Sequence, residues 1–365
     1  MATLAERAKS LRPSASKMAL DSVGPVVLAI GLTLLLHFVV GPAVGHSGTK
    51  ILLDMGINIV LAVSLNMVNG FTGQFSIGHA GFMAIGGYTA GIVTYYGGYK
   101  LFGTTNPTGG FLGAGQWLFA LSCIAGAVTS GFFGYLVGLP SLRLKGDYLA
   151  LVTLGFGEIV CVLLTQSGAV VPASGIDAVP AWQLPYHVGG AVGFSPLPFY
   201  TNLFWVYLFV CITVLFAYRL KESNHGRALL SIREDEIAAE ASGIAVTPIK
   251  VRAFAFSAAF AGVAGGLYFH LLGALPKPGE LGFQKSFEII IMVVLGGMGS
   301  VSGTILAAIV LTILPEVLRE FSDYRMVVYA LALVLMMLVR PQGLFGIREI
   351  WELGRERRKK ARGSR

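Results

Sequence analysis

The thirty residues from Leu65 to Thr94, LNMVNGFTGQFSIGHAGFMAIGGYTAGIVT, combine two properties that restrict the fold more than any other part of the chain. Their apolar length suits a lipid bilayer, yet Asn66, Asn69, Gly70, Thr72, Gly73 and Gln74 crowd one end, where regular helix is poorly supported. A segment in lipid has to satisfy its own backbone groups, and irregular backbone survives at membrane depth only inside protein or beside water. The stretch therefore predicts a broken helix enclosed by other helices. Beyond the break, Ser76 predicts the cap of the next helix, whose free amides would point back at the polar residues with a partial positive charge. The competing reading is that the glycines only let helices pack closely.

The remaining composition supplies such a bundle. Of 365 residues, 55% are apolar and 13% charged, about half the charged share of a soluble domain, which is near 25%. This predicts an all-α polytopic membrane protein. Cys123, Cys161 and Cys211 each lie in an apolar run without metal-like or redox-like spacing, so they read as packing residues and predict neither a disulfide nor a metal site. The net charge of +8 does not point to nucleic acid, because the basic residues gather in segments that the positive-inside rule assigns to the cytoplasm.

Arg7, Lys9, Arg12 and Lys17 precede a first span, Val23 to Val40, and a second runs from Ile51 to Val68 with Asp54 and Asn58 one turn apart on one face. Ala43-Val44-Gly45 resembles a small-residue cleavage site, which leaves removal of the first span as the alternative to its retention. Further spans are predicted at Phe75 to Tyr96, Trp117 to Leu139, Tyr148 to Gly168, Tyr200 to Tyr218 and Val251 to Leu272. The loop with Arg143 and Lys145 marks a cytoplasmic turn, whereas 169–199 contains Asp177 but no Lys or Arg and reads as external.

Phe287 to Leu314 is an apolar run of 28 residues interrupted by GGMGSVSG, Gly296 to Gly303. At a rise of about 1.5 Å per residue, neither half crosses a hydrocarbon core of about 30 Å without borrowing from its flank. A single crossing would leave the last span, Met326 to Val339, delivering a tail with nine Lys or Arg to the outside. Two short broken passes instead give about ten passes and place both termini, with 21 of the 27 basic residues, in the cytoplasm. The chain then divides into a cytoplasmic segment 1–22, a transmembrane domain 23–339 containing a charged cytoplasmic loop at 219–250, and a basic tail 340–365. Paired interruptions in two halves point to a pathway at a repeat interface. The candidate pathway residues are Asn66, Asn69, Thr72, Gly73, Gln74, Ser76, Gly78 and His79 in the first interruption, and Gly296, Gly297, Gly299, Ser300 and Gly303 in the second.

Asp54, His79, Glu158 and Glu288 are ionisable groups at membrane depth, each a functional hypothesis by default. No sequence spacing gathers them into a relay, and Asp54 and Glu288 read first as residues near span ends. The chain has no phosphate-cradling GxxxxGK[ST] loop, no zinc-protease helix, no nucleophile elbow and no dinucleotide fingerprint, so no catalysed covalent step is expected of it. The charged loop is more informative. Helix formers run from Arg227 to Ser242, Gly243 ends them, and Pro248 follows. Leu229, Leu230, Ile232 and Ile237 give this helix-turn-helix a mixed surface, which suits docking into a partner better than a solvated connector. The basic tail suits contact with anionic membrane lipid, or serves only as an orientation signal.

In this order and spacing, LNMVNGFTGQFSIGHAGFMAIGGY, LKGDYLALVTLGFGEI from Leu144 to Ile159, GRALLSIREDEIAAEASGI, IMVVLGGMGSVSGTILAA from Ile291 to Ala308, and RPQGLFG from Arg340 to Gly346 carry a resemblance. Over about Lys50 to Gly346 the chain resembles the permease subunits of branched-chain amino acid ABC importers, the LivM type. That resemblance implies a bacterial inner-membrane assembly with a second related permease subunit, two cytoplasmic ABC ATPase subunits and a periplasmic or extracellular solute-binding protein. This chain would bind no cofactor, and ATP would be hydrolysed by its partners. The charged loop would be the coupling element, with Arg227, Leu230, Arg233, Glu234, Ala238, Ala239 and Gly243 meeting an ATPase. In such importers the element resembles Glu-Ala-Ala, three residues, then Gly; Ala238-Ala239 and Gly243 fit, whereas Ile237 stands where Glu is expected. The implied substrates are Leu, Ile and Val. Similar permeases for urea, short amides or other small polar solutes leave substrate identity open, and an ion-coupled secondary amino acid transporter is the alternative of another class.

Overall fold

The computed structural model describes residues 15–105, 109–142, 147–274 and 276–318, and beyond them only positions 330, 331, 334, 338 and 349. The N-terminal basic residues Arg7, Lys9 and Arg12, the loop residues Arg143 and Lys145, most of the last expected span and nearly all of the basic tail lie outside the described residues. Among the described residues there are helices and turns and no strand. Five stretches among the described residues are long and apolar enough to cross a bilayer: Val26–Asn69, Ala114–Ser141, Tyr148–Thr165, Leu203–Glu222 and Val246–Leu272. Backbone that must satisfy itself in lipid takes this helical form, and the chain is an all-α membrane protein.

Helix α1 (Ala15–Leu35) continues through a π-helical turn, Leu36–Val40, into α2 (Gly41–Asn69). The 44 residues of Val26–Asn69 would measure about 66 Å if straight, twice a hydrocarbon core of about 30 Å. They are not straight, because Gly45 leaves the helix at φ 75° and ψ −179°. The two expected spans lie on either side of that glycine. Helix α3 (His79–Ile92) runs through a second π-helical turn into Gly98–Phe102, and α4 (Ala114–Ser141) and α5 (Asp147–Thr165) follow. The segment expected outside folds over the end of α3, where the Tyr96 hydroxyl donates to the His187 carbonyl at 2.6 Å and Tyr95 to Val171 at 3.3 Å.

Helix α6 (Leu203–Glu222) starts at Asn202, whose side chain accepts from the Trp205 amide. The charged loop then forms α7 (Asn224–Glu234) and α8 (Glu236–Ala241), capped by Ser223 and Asp235. The run expected to be helical from Arg227 to Ser242 is therefore broken at Asp235, whose carboxylate accepts from the amides of Ile237 and Ala238 and restarts the helix in a new direction. Helix α9 (Val246–Leu272) returns through the bundle, and α10 (Phe283–Gly296) and α11 (Val301–Val317) are the two halves of the glycine-broken run. With 14 and 17 residues they span about 21 and 26 Å, short of a full crossing as expected.

Helix α9 forms the centre, packed against α4, α3 and α2. It can do so because three helices meet at glycines. A Cβ on Gly126 of α4 would lie 2.6 Å from the Gly86 carbonyl of α3, and one on Gly262 of α9 would lie 2.5 Å from the Gly126 carbonyl. Lipid supplies no hydrophobic drive between helices, so backbone approach of this kind is what holds the bundle. Around it the aromatic rings of Phe82 and Phe254 meet edge to face, their centroids 5.5 Å apart.

Candidate functional site

The two glycine interruptions touch. Asn66, in the last turn of α2, is fully buried, its carboxamide oxygen accepts from the Gly299 amide at 2.8 Å, and its nitrogen donates to the Ser300 carbonyl at 3.1 Å. A carboxamide suits this position because it offers a donor and an acceptor side by side to one stretch of open backbone. Gly297 and Gly299 hold left-handed φ values of 100° and 95°, conformations that side chains with a Cβ resist. Across the turn, Gly296 and Gly303 let the two half-helices close on each other, since a Cβ on Gly296 would lie 2.5 Å from the Thr304 Cα. Ser300 caps α11, its hydroxyl accepting from the Gly303 amide at 3.1 Å.

The charged arm reaches this junction. Arg233, near the end of α7, donates from one guanidinium nitrogen to the Gly70 carbonyl at 2.8 Å and to the Met298 carbonyl at 3.3 Å. One side chain thus holds carbonyls from both interruptions. Lys221, in the last turn of α6, donates to the Gly299 carbonyl at 2.8 Å and pairs with Glu349 at 2.5 Å. Glu349 in turn accepts from the amides of Val301 and Ser302, each at 3.0 Å, and from the Ser302 hydroxyl at 2.5 Å. A carboxylate at these first amides of α11 meets the positive end of the helix dipole. Burial pushes the Glu349 carboxyl up, but Lys221, Ser302 and the two amides outweigh it and hold the group below its ordinary range. Because Lys221 lies one residue from the end of α6, the junction is level with that end of the span and with the charged arm.

The first interruption differs from its expected form. Ser76 does not cap a helix; α3 begins at His79, with Gly78 before it. The Ser76 amide donates to the Asn69 carboxamide oxygen at 3.2 Å, so the side chain of Asn69 closes the loop between them. Thr72 donates to the Val68 carbonyl at 2.7 Å and accepts from the Gln74 amide at 3.3 Å. Two amides around the start of α3 are already taken: Ile77 donates to the Thr153 hydroxyl at 3.1 Å and Ala80 to the Ser286 hydroxyl at 3.2 Å. Gly78 is what allows it, since a Cβ there would fall on the Thr153 carbonyl of α5. His79 is buried apart from the junction, 2.8 Å from the Ser64 hydroxyl. Two buried polar atoms of the loop, Asn69 Nδ2 and Gln74 Oε1, have no hydrogen-bond partner among the described residues.

The residues expected to meet an ATPase divide in two. Arg233 points inward, and Ala239 is buried with Ile232 and Val246 in a small apolar cluster. Leu229 is buried and Leu230 half-buried, so these apolar residues fasten the arm to its own chain. Arg227 bonds locally to Asn224 and to the Glu222 carbonyl. The outward face is α8 and the turn after it: Ile237, 72% exposed, with Glu234, Ala238 and Gly243 also exposed. Gly243 holds φ 83° and ends the arm.

Lys221, Glu349, Thr153, Ser286 and Ser64 were missed by sequence reasoning. Of these only Lys221, in a basic pair at a span end, carried a signal. Glu158, a candidate at membrane depth, accepts from the Phe283 amide at 2.9 Å and so starts α10. Asp54 and Glu288 line one cavity.

The permease protein LivM of the high-affinity branched-chain amino acid transport system of Salmonella typhimurium is 38% identical over 284 residues, 72% of this chain and 62% of that protein. The corresponding LivM of Escherichia coli is 38% identical over 281 residues, with the same coverage of 72% and 62%. The chain thus matches about three-fifths of the length of these relatives. LivH of Salmonella typhimurium, a permease protein of the same named system, is 24% identical over 240 residues, 64% of this chain and 77% of that protein. No solved structure matches. The model of a family described as the permease component of branched-chain amino acid transport systems matches residues 47–339, both interruptions and the arm included, and the chain belongs to that family.

Proposed function

We propose that this chain is the membrane-spanning permease subunit of an ATP-driven importer that passes branched-chain amino acids into the cytoplasm. One observation carries the reading: Arg233 of the charged arm binds carbonyls from both glycine interruptions at once. A force applied to α8 from outside the membrane domain has a direct polar route to the two places where helices are already broken. The chain contains no phosphate-cradling loop of its own, and its relatives are named permease proteins, so the motor belongs to partners. One of two cytoplasmic ABC ATPases would seat on the exposed face of α8, a second permease of the LivH kind would complete the pathway, and an external binding protein would deliver the solute.

In this mechanism, closure of the ATPases displaces α8, α7 carries the motion, and Arg233 and Lys221 move the turns at Gly70 and Gly299. The two half-helices then rock between outward and inward arrangements, with ATP and solute each favouring one of them. About ten passes in a bacterial inner membrane, with both termini cytoplasmic, accord with the distribution of Lys and Arg. Co-reconstitution of the chain with its encoded ATPases, second permease and binding protein tests the proposal. Leucine uptake that requires ATP is expected; uptake that follows a sodium or proton gradient, or simple equilibration, contradicts it.

A further inference from the structure

We infer that a cavity of about 370 Å³ between α2, α9, α10 and α11 is the site where this subunit takes hold of a zwitterionic amino acid. The inference rests on the permease reading and adds a substrate site that the interruptions do not provide. Asp54 of α2, Lys285 and Glu288 of α10 and Glu316 of α11 bring charges of both signs to its wall, and Ile57, Met292, Leu311 and Pro315 supply an apolar one. The volume lies at the small end of ligand sites, which run from about 300 to 1,000 Å³. Asp54 is about 22 Å along α2 from Asn69, fifteen residues at about 1.5 Å each, so the cavity sits far from the charged arm and toward the opposite side of the bundle.

Charge places the ligand. Lys285 is paired with Glu288 at 2.9 Å and lies 5.6 Å from the centre of the Tyr268 ring. Asn58 donates to Thr312 at 2.9 Å, joining α2 to α11. Asp54, half-buried on the same face of α2, makes no hydrogen bond or ion pair with any described residue, and the positive charges of Lys50 and Lys285 act on it only from beyond contact distance. A half-buried carboxylate gains most from a cation at hydrogen-bond distance, and an α-ammonium group supplies one. The α-carboxylate of the same molecule is then within reach of Lys285, and a branched aliphatic side chain lies on Ile57, Met292 and Leu311. A bare cation would leave the apolar wall unused, and a carboxylic acid without the amine would give Asp54 no hydrogen-bonded partner.

Two measurements on the full assembled complex test this. Asp54→Asn keeps the shape and removes the charge; leucine uptake should fall at least about tenfold, the loss of one charged hydrogen bond, with co-purification of the ATPases showing that the variant is assembled. Separately, a Thr312→Cys variant, with Asp54 intact, should react with a water-soluble methanethiosulfonate several-fold more slowly in leucine, and no more slowly in 4-methylpentanoate or sodium chloride. Absence of leucine protection, equal protection by 4-methylpentanoate, or protection by sodium overturns the assignment whatever the uptake shows. Uptake within twofold of wild type in Asp54→Asn also overturns it, while the permease reading stands. A wild-type complex that takes up no leucine with ATP overturns that reading instead, and protection at Thr312→Cys still decides whether the cavity binds leucine.

Discussion

Single side chains do the joining. Asn66 lies 233 positions from Gly299, and Arg233 lies 163 from Gly70, so no spacing in the sequence announces either contact. Glu349 makes the same point from within a basic tail. Its carboxyl is held below the ordinary value of 4.5, so its contribution to stability is fully present above that value and is lost as pH falls through the lowered one. Glu349→Gln should therefore cost about 1.5–3 kcal/mol at pH 7, as expected for hydrogen bonds to a charged group, and the difference from wild type should shrink at pH 3 in thermal unfolding of the detergent-solubilised protein. Gly73 is equally local. It holds φ 69°, and a Cβ there would lie 2.9 Å from Cγ of Arg233. Gly73→Val should displace that arginine and abolish ATP-driven uptake while the ATPases still co-purify; uptake at the wild-type rate would reduce the glycine to packing.

Elements were easier to read than contacts. Apolar runs gave α4, α6 and α9 to within a few residues, because a span in lipid has to be long and unbroken. The cap of α3 was misread by two residues, since the Gly78 backbone closes on α5 and puts Ser76 in the loop. The break in the arm at Asp235 was also passed over, although an aspartate before Glu-Ile-Ala-Ala is an ordinary capping signal. Asp54 and Glu288 read as unrelated span-end residues, and only the packing of α2 against α10 brings them to one cavity. Two predictions belong to this scale. Gly86→Val would force a side chain into the Gly262 backbone, an overpacking that costs about 1–3 kcal/mol and should lower the melting temperature and yield of folded protein on fluorescence-detected gel filtration. Gly243→Val places a β-branched residue at φ 83°, at a cost of about 1–3 kcal/mol. It should end ATP-driven uptake while membrane insertion stays normal, and unchanged uptake would remove the turn from coupling.

For the whole molecule, the arm and the two interruptions form one connected polar structure, with the charged cavity at the far end of the same helices. Helices α2, α10 and α11 each have one end at the Arg233 junction and line the cavity with residues further along. Rigid half-helices about 20–25 Å long can carry a displacement between such points. Under the permease proposal, force from partner ATPases enters this chain through Arg233. The ratio of leucine imported to ATP hydrolysed by the reconstituted complex tests it most directly, compared between wild type and Arg233→Ala. The expected result is continued hydrolysis with leucine per ATP reduced at least about tenfold, the energetic equivalent of about 1.4 kcal/mol. An unchanged ratio in Arg233→Ala would contradict the claim.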